Sequence, residues 1–153
     1  MAQLKEGDKA PVFSGINQDG KQIGLKDFSG KKLVLYFYPK DSTPGCTAEA
    51  CNLRDNFSSL RKKGFEILGV SADSEKSHVN FRSKNNLPFD LISDVDRIML
   101  KEYGAWGEKK LYGKVYEGIL RKTFVISEKG LIEKIIEKVD TKDHTNQILN
   151  LYK

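Results

Sequence analysis

Two apolar β-type runs with a helical stretch between them constrain this chain more than any other feature. Residues 33–38, Leu-Val-Leu-Tyr-Phe-Tyr, are aliphatic, β-branched or aromatic throughout and stop at Pro39. Residues 65–71, Phe-Glu-Ile-Leu-Gly-Val-Ser, form a second such run. Strands apolar on both faces need cover on both sides. From Pro44 to about Lys63 the apolar residues Ala48, Cys51, Leu53, Phe57 and Leu60 recur mostly three or four apart. Gly64 suits the C′ position that ends such a helix. Strand, helix, strand in this order begins an alternation that implies a sheet with helices on both faces.

The rest of the chain extends the alternation. Residues 74–85 read as a helix capped by Ser74, residues 89–92 as a short strand, and residues 94–103 as a helix opened by Asp94. Residues 104–118 read as a Gly-rich connection. Residues 123–126 and 131–136 flank Glu128-Lys129-Gly130, a hairpin signal. A last helix is expected over residues 142–151. Residues 10–26 read as a small hairpin around Asp19-Gly20. The expected class is α/β, a single domain over residues 1–153. It has a mixed central sheet, helices on both faces and an N-terminal β-hairpin. A βαβ half followed by a ββα half is the thioredoxin-like arrangement.

Composition narrows the function classes. A length of 153 residues supports one domain with its own core. No stretch approaches the roughly 20 apolar residues of a membrane span. The first eight residues are polar and mixed in charge, unlike a secretory signal, so a cytoplasmic location is expected. Net charge is +5, but lysines are scattered and interleaved with acids. That pattern is a solvated surface, not a nucleic-acid stripe. There are two cysteines, five residues apart, which points to redox or metal chemistry more than to structural stapling.

The segment from Pro39 to Cys51 reads Pro-Lys-Asp-Ser-Thr-Pro-Gly-Cys-Thr-Ala-Glu-Ala-Cys. With Thr43 as N-cap and Pro44 at N1, Cys46 falls at N3. There its sulfur meets unpaired backbone N–H groups and the positive end of the helix dipole. This placement favours the nucleophilic thiolate; the alternative is a buried structural cysteine. A thiol of pKa about 8.5 is about 3% ionised at pH 7, and lowering the pKa to about 6 gains only about 30-fold. Thiolate attack on a polar bond also needs donors aimed at the atom that departs with the electron pair. Nearby candidates are the Thr43 hydroxyl and the Cys46 N–H; a distant one is a guanidinium.

Cys51 lies about 140° around an ideal helix from Cys46 and about 8.6 Å away between Cα atoms. A disulfide tolerates at most about 7 Å. Bonding between the two therefore requires the first turns of the helix to unwind. The alternative reading of Cys51 is an apolar residue on the helix face. Zinc would need four ligands, and only His78 and His144 are available to join the cysteines, without paired spacing. A thioredoxin-type reductase would carry Cys-x-x-Cys, which is absent.

These residues resemble the peroxiredoxins, and specifically the bacterioferritin comigratory protein or peroxiredoxin Q subfamily. The Pro-x-x-x-Thr-x-x-Cys signature appears as Pro39, Thr43 and Cys46, with Cys51 five residues on. Residues 36–39, Tyr-Phe-Tyr-Pro, and 52–55, Asn-Leu-Arg-Asp, also match. The similarity runs from Gly7-Asp8 and Ala10-Pro11 through Trp106-Gly107 to the last helix.

The resemblance implies a thiol peroxidase acting on hydrogen peroxide and organic hydroperoxides, with thioredoxin as reductant and neither cofactor nor metal. Cys46 would be the peroxidatic thiolate and Cys51 the thiol that resolves its sulfenic acid. Thr43 would donate its hydroxyl to the peroxide, and Pro39 would shield the sulfur. Arg121 would hold the thiolate and polarise the peroxide. From the residues alone, Arg121 reads equally as a solvated charge at a strand start, and strand position does not choose between it and Lys122. Glu49 either orients that arginine or serves the helix dipole. Trp106 and Tyr112 either line the pocket or anchor a loop. The Gly-Gly-Leu-Gly segment and C-terminal Tyr-Phe of decameric relatives are missing, so an intramolecular disulfide and a monomer, at most weakly dimerising, are expected. A redox-sensing switch without turnover is the competing function.

Overall fold

The computed structural model describes residues 3–153; residues 1 and 2 of the polar N-terminal stretch lie outside it. The strand predicted at residues 33–38 is β3, Lys32–Phe37. Leu33, Val34, Leu35, Tyr36 and Phe37 are all buried. Alternation sends Leu33, Leu35 and Phe37 to one face and Val34 and Tyr36 to the other. β3 is central because it is apolar on both faces.

The N-terminal hairpin is β1, Ser14–Asn17, and β2, Gln22–Gly24. After β3 come α1, Pro44–Asp55, and α2, Phe57–Lys62. Then follow β4, Phe65–Ser71, α3, Glu75–Asn85, and β5, Asp90–Ser93. The second half holds α4, Ile98–Glu102, β6, Trp106–Leu111, and β7, Lys114–Ile119. It closes with β8, Lys122–Ile126, β9, Ile132–Ile136, and α5, His144–Asn150.

The seven-stranded sheet has the order β2-β1-β5-β4-β3-β8-β9. β3, β4 and β5 run parallel, while β1, β2, β8 and β9 join by antiparallel pairing. The expected hairpin thus extends the main sheet. One face packs on α1, α2, α3 and α5 through Ala50, Leu53, Leu60, Phe81 and Ile148. The other packs on α4 and the N-terminal segment through Met99, Leu100, Ala10 and Phe13. Gly69 in β4 leaves room for a neighbour's ring: a Cβ there would stand 3.0 Å from the Tyr36 ring and 2.8 Å from Leu91 Cδ2.

Three expectations need correction. The helix expected over 44–63 is two helices broken at Asn56, whose side-chain amide donates to the Asn52 carbonyl at 2.8 Å. That side chain competes with the backbone for the same acceptor. The helix expected from Asp94 starts at Ile98; the Asp94 carboxylate instead accepts from the Ile98 and Leu100 N–H groups. Residues 104–118 are mostly a two-stranded hairpin, with Leu111 opposite Lys114. Tyr112 and Gly113 both have positive φ, as a type I′ turn demands. Its strands are polar and exposed, so no period-2 apolar pattern announced them.

Candidate active site

The site forms where β3 ends and α1 begins. Thr43 is extended at the N-cap, Pro44 is N1, and the first intrahelical bond runs from Thr47 N–H to the Thr43 carbonyl at 2.9 Å. Cys46 therefore lies at N3 as expected, in a turn whose N–H groups have no intrahelical acceptor. Its side chain is buried, at 1% exposure. Pro39 is half-buried at the end of β3. The Thr43 hydroxyl donates to the Lys40 carbonyl at 2.8 Å. A hydroxyl has one proton, and here it is spent on Lys40, so in place of the donor expected from the sequence Thr43 has only lone pairs left to offer.

The loop between β3 and α1 is clamped by Asp41. Its buried carboxylate accepts from Tyr38 Oη at 2.6 Å and Ser77 Oγ at 2.8 Å, and lies 2.7 Å from His78 Nδ1. Its backbone N–H donates to Asp73 at 2.8 Å. This ties the loop to α3 and to the end of β4, where Ser71 holds Asp73. His78 is engaged here and not with the cysteines. The ligand atoms of Asp41, Asp73 and His78 lie within 4.8 Å of one another, but each residue is spent on these hydrogen bonds.

Arg121 arrives from the other half of the chain. β8 runs antiparallel to β3 with Lys122 opposite Phe37, so the residue before β8 stands beside the end of β3. Arg121 Nη2 donates to Cys46 Sγ at 3.3 Å, and Nη1 donates to Glu49 Oε1 at 2.7 Å. Lys122 instead reaches Glu137 at 3.7 Å. The geometry selects Arg121 over Lys122 and aims Glu49 at the guanidinium. Burial works against the Arg121 charge, but Cys46 and Glu49 outweigh it and raise its pKa. Gly45 lets the guanidinium lie close: a Cβ there would stand 3.3 Å from Nη2.

Glu49 is fully buried. Burial pushes its pKa up to about 7 against the pull of Arg121. Behind it stands His144 of α5, with Nε2 3.5 Å from Glu49 Oε2 and 2.8 Å from Thr123 Oγ1. Burial pushes the His144 imidazole down to about 4. Tyr36 also faces this cluster, its hydroxyl buried without a hydrogen-bond partner among the described residues. Sequence reading missed His144 and Tyr36 as site neighbours; nothing in their local patterns marks them.

Cys51 sits on the same unbroken α1 as Cys46, half-buried, with its Sγ donating to Asn85 Oδ1 at 3.7 Å. Both thiols are free. Trp106 donates to Glu117 at 3.3 Å and stacks under the Arg97 guanidinium at 4.8 Å, which anchors the start of β6. Tyr112 is 96% exposed at the hairpin tip, so it lines no pocket.

The model of the AhpC/TSA family matches residues 6–135. The chain belongs to the AhpC/TSA family. It is 45% identical to the peroxiredoxin Bcp of Escherichia coli strain K12 over 153 residues, which is 100% of this chain and 98% of that one. It is 46% identical to a putative peroxiredoxin bcp of Coxiella burnetii, over 95% of this chain and 97% of that one. Among solved structures, a cysteine-to-serine mutant of Xylella fastidiosa PrxQ superposes with a TM-score of 0.91 at 31% identity, over 99% of this chain and 97% of that one. The Xanthomonas campestris bacterioferritin comigratory protein, solved as trapped intermediate and ligand complexes, gives 0.85 at 39% identity, over 91% and 88%. The chain is accordingly a peroxiredoxin of the oxidoreductase class, a thiol peroxidase with a thioredoxin-like fold.

Proposed function

We propose that Cys46 is the peroxidatic nucleophile, that it reduces hydrogen peroxide and organic hydroperoxides, and that Cys51 resolves it within the same chain. The observation that carries this reading is the Arg121 N–H on the Cys46 sulfur at 3.3 Å, in the first turn of α1. The thiolate attacks one peroxide oxygen, the O–O bond breaks, and the other oxygen leaves as hydroxide or alkoxide and takes a proton. Arg121 stabilises the thiolate and then the departing oxygen. The lone pairs of Thr43 accept the peroxide O–H and orient the attack. Pro39, at the rim, keeps bulk water off the sulfur.

The product is a Cys46 sulfenic acid. Cys51 attacks it, water leaves and a disulfide forms. Because both cysteines lie on the continuous α1, its first turns unwind for that step. A dithiol protein of the thioredoxin type then restores both thiols. The cycle suits a monomer in a reducing compartment such as the cytoplasm, where the free thiols are maintained.

Stopped-flow reduction of hydrogen peroxide by wild type and Cys46→Ser tests the reading. The variant is expected to lose turnover entirely; retained turnover sinks the proposal. Mass spectrometry after one equivalent of peroxide should find a Cys46–Cys51 bond within one chain. A stable sulfenic acid without turnover would make the protein a sensor.

A further inference from the structure

The C-terminal helix places an ionisable side chain against the back of the site, and the peroxidase steps above do not use it. His144 is fully buried. Its tautomer follows from its neighbours. Gln147 Nε2 donates to the Lys138 carbonyl at 2.7 Å, and its Oε1 accepts from the Asp140 N–H at 2.9 Å. The Gln147 oxygen therefore faces His144 Nδ1, at 2.8 Å, and that nitrogen must carry the proton. In the neutral ring Nε2 is then an acceptor, and Thr123 Oγ1 donates to it at 2.8 Å.

The consequence falls on Glu49. Its Oε1 holds Arg121, but its buried Oε2 has no hydrogen-bond partner among the described residues. The atom opposite, His144 Nε2 at 3.5 Å, is a second acceptor. Two buried acceptors face each other with no proton between them, which is costly unless one is supplied. One proton, on either atom, converts the gap into a hydrogen bond once the Thr123 hydroxyl turns its own proton away from Nε2. Arg121 is the cation of this cluster, and it touches two acids, Cys46 and Glu49.

We propose that His144 is a positioning residue for Cys46: with Glu49 it holds a single proton, and the presence of that proton leaves the Arg121 charge to the Cys46 sulfur. When Glu49 is neutral, the guanidinium serves the thiolate alone. When Glu49 ionises, the two anions compete for it. The groups facing the pair are Arg121 before β8, Thr123 in β8, Tyr36 in β3, Cys46 in α1, and Gln147 and Asp140 around α5. Of these Cys46 shares the Arg121 guanidinium directly with Glu49, so the two acids are coupled.

This inference rests on Cys46 being the reactive thiol. Its test is a thiolate titration by absorbance near 240 nm in the Cys51→Ser background, which needs no turnover. An isolated group passes from about 10% to 90% ionised over about two pH units. In the parent the Cys46 curve should spread over about three units or more. Glu49→Gln should contract it to a single two-unit step at lower pH. His144→Asn keeps a polar atom toward Gln147 and removes the one facing Glu49; it should contract the curve likewise. His144→Gln returns a polar atom near Nε2 and should restore the breadth. A parent curve of one two-unit step, or a His144→Asn curve as broad as the parent, overturns the proposal.

Peroxide reduction by the same samples separates this idea from the function it rests on. Per thiolate, the parent rate constant should fall by up to about tenfold from pH 6 to pH 8, the change in protonated fraction across one pKa near 7. Glu49→Gln should be flat. A broad titration without peroxide turnover would refute the peroxidase reading and keep the coupling. Turnover with a pH-flat parent would refute the coupling alone.

Discussion

Arg121 Nη2 stands 3.3 Å from Cys46 Sγ although 75 residues separate them in the chain. The antiparallel register of β8 on β3 makes the contact, and the same guanidinium holds Glu49 with its other terminal nitrogen. One planar fork thus serves two acids, which a lysine ammonium at the end of a flexible stem does not reproduce.

Arg121→Lys should therefore act like loss of a donor to the developing oxyanion. The second-order rate constant for hydrogen peroxide is expected to drop by about 10²–10³-fold. Arg121→Met should fall at least as far. Stopped-flow measurement at several pH values checks this; a loss below tenfold for Arg121→Met would remove the guanidinium from the reaction.

Asp41→Ala should loosen the loop that carries Pro39 and Thr43. The change strips the acceptor from the Tyr38 and Ser77 hydroxyls and from the His78 ring. Leaving such buried donors unpaired costs about 2–4 kcal/mol. Urea unfolding should show this loss, with a weakened apparent affinity for peroxide. Unchanged stability would mean that the clamp does not hold the loop.

Gly69→Ala should destabilise by about 1–3 kcal/mol, because a methyl group in β4 collides with Leu91 and the Tyr36 ring. Tyr36 lies beside Cys46 and Glu49, so the variant should also react more slowly with peroxide. Thermal unfolding and stopped flow read both effects.

The pH dependence of stability follows from Glu49 and His144 with opposite signs. The folded pKa of Glu49 is raised from 4.5 to about 7, so its contribution to stability is full below 4.5 and is lost as pH rises through 7. The folded pKa of His144 is lowered from 6.5 to about 4, so its contribution is present above 6.5 and is lost as pH falls through 4. In the wild type the two slopes oppose each other between about pH 4.5 and 6.5. Glu49→Gln should uncover a loss of stability on acidification, and His144→Gln a gain, each up to about 3 kcal/mol. Denaturant melts at pH 4.5 and 6.5 measure the difference; parallel wild-type and mutant profiles would contradict it.

Asn52 joins α1 to α5: its Oδ1 accepts from the Thr145 N–H at 2.8 Å, and its amide donates to the Lys142 carbonyl at 3.2 Å. Unwinding α1 for the Cys46–Cys51 disulfide strains these bonds. Asn52→Ala should speed disulfide formation after a peroxide pulse and lower overall stability by about 1 kcal/mol. Quenched mass spectrometry gives the rate; slower formation would show that Asn52 aids the transition instead.

Local chemistry placed most of the elements and half of the site in the sequence itself. Residues 33–38 and 65–71 read as buried strands, and Thr43 and Pro44 as a helix start that puts Cys46 at N3. Helix phase also set the geometry between Cys46 and Cys51. Tertiary structure decided the rest, because those residues are brought together by pairing register and helix docking. Arg121 was separated from Lys122 by the position of β8 against the end of β3. Glu49 acquired its role from burial beside Arg121, and His144 from the seating of α5. The hairpin of residues 106–119 escaped sequence reading because its strands face water and carry no apolar alternation. A period reports which face of an element is buried. It does not report which distant charge that face will meet, since that depends on how the whole sheet is assembled.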